Sequence, residues 1–262
     1  MIRVGVLGAA GRMGRMVCAA VEADPDLDLV CGVVREGAGL PADLEHLPLA
    51  DDKEALLPVG AEVAVDFTRP AAVMDNLRWV LDHGMHAVVG TTGIGPDGLE
   101  EIGRLIDEGG GRSNVIVAPN FAVGAVLMQR FAEEAARFFP AAEVIELHHE
   151  GKADAPSGTS LSTARRMSAA RQREWTGPSK ESVPGVRGGD AGGIRVHSVR
   201  LPGLVAHQEV VFGGEGEVLT IRHDSLQRSS FMPGVLLAIK AVADRPGLTV
   251  GLEPLLGLTG SP

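Results

Sequence analysis

The chain has no tyrosine, two tryptophans and seven phenylalanines among its 262 residues. So little aromatic surface leaves no stacking platform for unpaired bases. Basic residues are also scarce, 24 against 34 acidic ones, and the net charge of -10 offers no electrostatic footprint for a polyanion. Nucleic acid is therefore not expected as a partner. Cysteine is nearly absent: Cys18 and Cys31 lie near the start among apolar neighbours, which excludes a disulfide framework and predicts buried thiols. The longest apolar runs, such as 123–128 and 235–239, fall far short of the about 20 residues that cross a bilayer. No membrane span is expected. Residues 1–8 read as a buried strand, not as a basic leader with a long apolar stretch; a cytoplasmic protein is expected.

What the chain does have is apolar patterning. Hydrophobic residues make up 45% and charged residues 22%, which excludes disorder and leaves chain enough for one large domain or two modest ones. Val4 to Leu7 form a short apolar run ending in glycine. Met13, Met16, Val17, Ala20 and Val21 follow at helical spacing until Asp24-Pro25. Strands are predicted over 29–34, 62–67, 86–89 and 115–117, with a helix over 73–81. This alternation predicts an α/β fold, a Rossmann-like doubly wound parallel sheet with helices on both faces.

Beyond Pro119-Asn120-Phe121 the pattern changes. A helix is predicted from about 124 to 139, then a strand over 143–147, then a region rich in glycine, serine and proline up to about 193 with one helical segment inside it. Three strand-like runs, 194–200, 204–212 and 218–223, read as antiparallel strands joined by Pro202-Gly203 and residues 213–216. The second half is expected to be a separate α+β unit, and the last helix, 231–243, to pack back on the first.

Three constellations carry chemistry. The first is Gly8-Ala9-Ala10-Gly11-Arg12-Met13-Gly14, between the first strand and the first helix. Glycines there let the main chain turn tightly and approach a pyrophosphate, whose charge meets the positive end of the helix. Dinucleotide folds place an acidic residue after the second strand to bind the ribose of NAD. Here that strand ends Val33-Val34-Arg35-Glu36. The planar fork of Arg35 suits a 2′-phosphate and so NADPH, while Glu36 leaves NADH open.

The second constellation is Gly90-Thr91-Thr92-Gly93 with Ala118-Pro119-Asn120-Phe121. Each follows a strand, and in an open parallel sheet the ligand lies beyond the carboxyl ends of the strands. The third is the run His148-His149-Glu150-Gly151-Lys152-Ala153-Asp154-Ala155-Pro156-Ser157-Gly158-Thr159, which directly follows Glu146-Leu147. Two histidines and a lysine within five residues, then a turn opening a helix, make an anion site with proton donors. A zinc site is not expected, because no cysteine is near and adjacent histidines lack a third and fourth ligand.

With these motifs the chain resembles the 4-hydroxy-tetrahydrodipicolinate reductase family, also called dihydrodipicolinate reductases, through Arg222-His223-Asp224-Ser225 and the final helix. The run from His148 to Thr159 is the specific part; the glycine motif is shared by many enzymes. Gly151 departs from the pattern of relatives that carry a further histidine there.

The resemblance implies a dinucleotide-binding domain of residues 1–121, completed by 229–262, and a substrate-binding and tetramerisation domain of residues 122–228. It implies NADPH- or NADH-dependent reduction of a small cyclic dicarboxylate in lysine and diaminopimelate biosynthesis by a homotetramer. It further implies His148 as the acid/base residue and Lys152 as a proton donor, with His149, Ser157, Gly158 and Thr159 on the substrate. Gly8, Ala9, Ala10, Gly11, Arg12, Met13, Arg35, Gly90, Thr91, Thr92, Ala118, Pro119, Asn120 and Phe121 would line the cofactor. No metal requirement is visible.

Two rival readings remain: another nicotinamide-dependent oxidoreductase of similar build, and a non-catalytic cofactor sensor. A thiol-dependent semialdehyde route needs a nucleophile in the substrate half, where no cysteine exists. A sensor would bind cofactor without turnover.

Overall fold

Apolar strands that are buried on both faces need helices above and below them, and the first half of the chain supplies both. A computed structural model describes residues 1–35, 37, 44, 46–171 and 180–258. Glu36, and the last four residues of the predicted 229–262 segment, lie outside the described residues. The chain divides into two compact units, residues 1–121 with 231–262, and residues 122–230.

The first unit runs β1 (Ile2–Leu7), α1 (Arg12–Ala23), β2 (Leu27–Val33), β3 (Leu49–Ala50), β4 (Val63–Asp66), α2 (Pro70–Asp82), β5 (His86–Val89), α3 (Pro96–Glu108) and β6 (Val115–Val117). The second carries α4 (Val123–Ala135), β7 (Ala141–His148), α5 (Gly158–Ala170), β8 (Gly189–Asp190), β9 (Arg195–Arg200), β10 (Ala206–Gly214) and β11 (Glu217–Ser225). The chain then returns to the first unit with α6 (Met232–Ala241) and β12 (Leu248–Val250).

In the first unit seven strands lie in the order β12-β6-β5-β4-β1-β2-β3, and every neighbouring pair is parallel. The central strands are apolar throughout, with Val4, Val6, Val63, Val65, Val88 and Ile116 fully or almost fully buried. α2 and α3 both open on a proline, where the missing amide costs nothing. The sequence pattern did not reveal α3, β3 or β12. The last is held by Asn114, whose side chain donates to the carbonyls of Val242 and Ala243 at 3.0 and 2.9 Å and accepts from the Gly247 amide at 3.1 Å. From β1 the chain moves outward to β2 and β3, then crosses back to β4 on the other side. The direction of winding reverses between β1 and β4, which puts a crevice at their carboxyl ends.

In the second unit the order is β11-β10-β7-β9-β8. Here one expectation is corrected. The runs that become β9 and β10 are not neighbours: β7 lies between them, parallel to β9 and antiparallel to β10. The short link through Pro202-Gly203 carries the chain past one strand, and β7 gains ladder partners on both edges. α4 also stops at Ala135, short of the expected 139.

The helix-facing side of this sheet changes character along the strands. At one end Val144, Val196, Val210 and Phe212 pack with Ala132 and Met167. Two residues further on, the same face carries Glu146, Ser198 and Gln208 in register, then His148 and Arg200. Period-two alternation thus makes an apolar core and a polar end from one set of strands. The opposite face, with Ile145, Leu147, Val199 and Val211, is only partly buried. Among the described residues no helix is long and apolar enough to cross a membrane.

Candidate functional site

At the crevice of the first unit lies a cleft of about 750 Å³. Its walls come from the ends of three strands and the turn before α1: Leu7 and Gly8 at the end of β1, Val33 to Arg35 at the end of β2, Phe67 to Arg69 after β4, with Ala10 and Gly11 before the helix. Gly8 has φ +85°, and a side chain there would press on the Phe67 carbonyl oxygen at 2.9 Å. The Gly8 and Ala9 amides donate to the Val33 carbonyl at 2.9 and 3.0 Å. Gly14 sits so close to the Gly8 carbonyl and Ala9 that any side chain would collide with main chain.

No side chain caps the first turn of α1, and no acidic residue lies in it. The first amides of a helix lack internal partners, and the dipole places partial positive charge there. Such a surface suits a pyrophosphate, and the cleft has room for a dinucleotide's phosphates and one nucleoside. Arg35 is exposed on the wall, Lys53 and Arg69 add positive charge, and Asp51 and Asp52 place negative charge beside them; the sequence pattern points to none of the last four. Ala9 is buried behind the turn, and Arg12 and Met13 occupy the first turn of α1.

Gly90, Thr91 and Thr92, and Ala118 to Phe121, follow β5 and β6 but do not line this cleft. They support it instead. A side chain at Gly90 would meet the Phe67 ring, and Phe121 stacks on Phe67 with centroids 5.8 Å apart. Thr91 is buried and donates its hydroxyl to Asp66 Oδ1 at 2.7 Å. Asp66, itself buried, also accepts from the Thr68 amide and hydroxyl at 2.9 and 2.7 Å and from Asn76 at 2.8 Å. This carboxylate ties the end of β4 to α2 and to the segment after β5. A lone acid at the end of an apolar strand was its only sequence signal.

In the second unit the predicted run is assembled as one loop. His148 ends β7, Lys152 closes a turn by donating its amide to the His149 carbonyl at 3.1 Å, and Ser157 begins α5. The Ala155-Pro156 peptide is cis. Ser157 Oγ caps the helix by accepting from the Ser160 amide at 3.2 Å, so its hydroxyl is committed to the fold. Gly158 is exposed, with open space where a side chain would be. The Thr159 carbonyl accepts from Gln129 at 3.2 Å. Lys152 Nζ pairs with Asp154 Oδ1 at 2.7 Å, and this hydrogen bond is the chief reason the Asp154 carboxyl is held below its usual range.

Beneath the loop lies Glu146, with no exposed surface. Its Oε2 takes a hydrogen bond from His148 Nδ1. The fork of Arg200 spans both oxygens, with Nη1 on Oε2 at 2.9 Å and Nη2 on Oε1 at 2.8 Å, and the Ser157 amide donates to Oε1 at 3.3 Å. Burial alone pushes the carboxyl up, but hydrogen bonds from His148, Arg200 and Ser198 outweigh it and bring the group from its ordinary 4.5 down to about 2. Arg200 also donates to the carbonyls of Lys152 and Asp154. With Nδ1 engaged, His148 has Nε2 left to meet a ligand.

From sequence alone Glu146 has no assigned role and Arg200 does not stand out. The first had a signal, since positions 146 and 148 of one strand share a face. The second had none, because its place depends on the register of β9 against β7.

Neither cysteine takes part. Both are buried, and burial pushes the Cys18 thiol up to about 12 and raises that of Cys31. Among the described residues no cluster of ligands suits a metal ion.

Comparison with known proteins covers both units. Residues 2–121 match the family model described as dihydrodipicolinate reductase, N-terminus, and residues 124–256 match its C-terminus counterpart. The 4-hydroxy-tetrahydrodipicolinate reductase of Nocardia farcinica (strain IFM 10152) is 53% identical over 261 residues, covering 98% of this chain and 99% of that protein. The protein of that name from Cutibacterium acnes (strain DSM 16379 / KPA171202) is 52% identical over 264 residues, covering 98% and 100%. Among solved structures, a dipicolinate-bound dihydrodipicolinate reductase from Paenisporosarcina sp. TG-14 aligns with a TM-score of 0.87 at 39% identity, covering 97% of this chain and 99% of that one. An amine dehydrogenase from Mycobacterium smegmatis, at 13% identity and a TM-score of 0.61 over 95% of this chain and 94% of that one, shares the fold alone.

Proposed function

The chain belongs to the dihydrodipicolinate reductase family, and on that premise we propose that it reduces 4-hydroxy-tetrahydrodipicolinate to tetrahydrodipicolinate in the diaminopimelate and lysine pathway. It is an oxidoreductase that uses a nicotinamide cofactor. The observation that carries the reading is the loop of the second unit: a carboxylate-held imidazole, a lysine and the start of a helix within twelve residues. A cyclic dicarboxylate needs two anion contacts and one acid, and this loop offers all three.

Once the C4 hydroxyl has left as water, before binding or in the site, a conjugated imine remains, and a reduced nicotinamide, when bound, supplies a hydride to its C4. The ring then holds excess electron density that must take a proton. His148 gives that proton from Nε2, and Lys152, paired with Asp154, stabilises the developing charge or donates in turn. His149, Gly158 and Thr159 receive the carboxylates with the help of the first-turn amides of α5, which Ser157 holds in place. Asp154 keeps Lys152 near the ring until substrate draws it away.

In the first unit the turn from Gly8 to Met13 holds the pyrophosphate. Arg35 takes the 2′-phosphate, so NADPH is preferred, and NADH is accepted at lower affinity because a ribose hydroxyl meets no repulsion there. Gly90 to Thr92 and Ala118 to Phe121 support the nicotinamide end. The partly exposed face of the second sheet, where Ile145, Leu147, Val199 and Val211 lie among charged residues, supports assembly of the homotetramer through residues 122–228.

The test is loss of reduced-nicotinamide absorbance, with substrate made in place from pyruvate and aspartate semialdehyde by the preceding synthase. NADPH and NADH run in parallel. Turnover with the NADPH arm ahead is the expected result. Tight cofactor binding without turnover in either arm would overturn the reading in favour of a sensor.

A further inference from the structure

Glu146 has no part in the reaction as described, yet it is a fully buried carboxylate on the strand that presents the acid. Removing such a charge from water costs several kcal/mol unless partners replace the lost hydration. The partners here are not scattered. One oxygen holds His148 Nδ1, both oxygens hold the Arg200 fork, and the same guanidinium reaches the carbonyls of Lys152 and Asp154. The two proposed proton donors are thus linked through one buried ion pair.

Building on the reading of His148 as the acid, we propose that Glu146 is its positioning residue: it keeps a proton on Nδ1 throughout turnover, so that Nε2 alone exchanges protons with substrate, while Arg200 ties this geometry to the Lys152 loop. In the charged state His148 carries protons on both nitrogens. The Nε2 proton passes to the substrate carbon, the carbon forms a C–H bond with its excess electron pair, and His148 is left neutral with its Nδ1 proton still on Glu146. Solvent then restores the Nε2 proton. Glu146 remains a carboxylate, in keeping with a carboxyl held near 2.

Among the described residues, the titratable groups next to His148 along the chain are His149 and Glu150. Glu146 lies on its own strand, Arg200 stands opposite on β9, and the Lys152–Asp154 pair follows on the loop. β10 places the uncharged Ala206 opposite, and α5 presents the uncharged residues Ser157 and Gly158. Among the described residues Glu146 is an anion hydrogen-bonded directly to the ring, and Arg200 tempers it from the far side of the carboxylate.

Two measurements test this. In Glu146→Gln, kcat falls by about 10²-fold, near the low end of what a positioned acid supplies, while KM and the cofactor Kd stay near their original values. The limb of the kcat/KM profile that reports the acid moves to lower pH by roughly 1 to 3 units, the scale of one adjacent charge. A merely structural role would lower the active fraction and leave the limb where it was. An unmoved limb overturns the proposal. The second measurement needs no variant: nitrogen-resolved NMR of the intact enzyme shows neutral His148 with its proton on Nδ1. A proton on Nε2 overturns the proposal even if Glu146→Gln does not fold. His148→Gln separates the two levels, because full turnover in that variant removes the acid itself, whereas its inactivity beside an unmoved Glu146→Gln limb removes the Glu146 role alone.

Discussion

In the first unit the proposed anion site is main chain, a turn of small residues from Gly8 to Gly14 with uncapped amides at the start of α1. In the second unit a network of side chains, Glu146, His148 and Arg200 drawn from β7 and β9, underlies the loop that carries Lys152 and the start of α5. The main-chain site is set by sterics: close approach of Gly8 to Phe67 and of Gly14 to Gly8 fixes its shape. The side-chain site is set by electrostatics, because a buried carboxylate is held by a two-pronged arginine and an imidazole. One site should therefore fail when bulk is added, and the other when charge is removed.

The largest effect is expected from removing charge. Arg200→Met leaves Glu146 buried with its main partner gone and costs about 3–5 kcal/mol of stability. Urea denaturation checks the loss, and cofactor affinity of the folded fraction stays as it was. Acid reaches the same ion pair without mutation. The Glu146 carboxyl lies near 2 in the folded chain against an ordinary 4.5, so its stabilisation is fully present above pH 4.5 and is lost as pH falls from there toward 2. A pH series of melts should show that decline, and Glu146→Gln should flatten it.

Adding bulk comes next. Gly14→Ala sets a methyl against the Gly8 carbonyl, which is main chain and has no rotamer to yield; the expected cost is about 1–3 kcal/mol. Calorimetric titration should show weaker binding of NADPH and NADH alike, since the pyrophosphate is common to both. The smallest effect belongs to the exposed Arg35. Arg35→Ala should weaken NADPH on the order of tenfold, one exposed charge-assisted contact, and leave NADH nearly unchanged. Equal loss for both would place the 2′-phosphate elsewhere on the wall, with Lys53 and Arg69 as the remaining cations.

The same contrast explains what could be read from the chain. The glycine turn was legible because its requirements are local: three small residues, a strand before and a helix after. The parallel strands were legible because burial on both faces makes them continuous apolar runs, as in Val63–Asp66. The loop from His148 to Thr159 was legible as a motif, but the buried support under it was not. Arg200 reaches Glu146 across 54 positions, and nothing short of the β7–β9 register says that it does. The short link between β9 and β10 suggests direct partners, but a short link does not exclude a strand inserted between, and β7 is inserted there. α3 is weakly marked in the sequence: its apolar positions Ile102 and Ile106 have helical spacing, but Gly98 and Gly103 are poor helix formers within the run.

The central claim is that the second unit supplies the acid while the first holds the cofactor. The most direct measurement is His148→Gln, with kcat in the synthase-coupled assay and the NADPH Kd determined on one preparation. The account predicts a fall in kcat of about 10²–10⁴-fold with the Kd unchanged. Full turnover, or a Kd that rises as kcat falls, would contradict it.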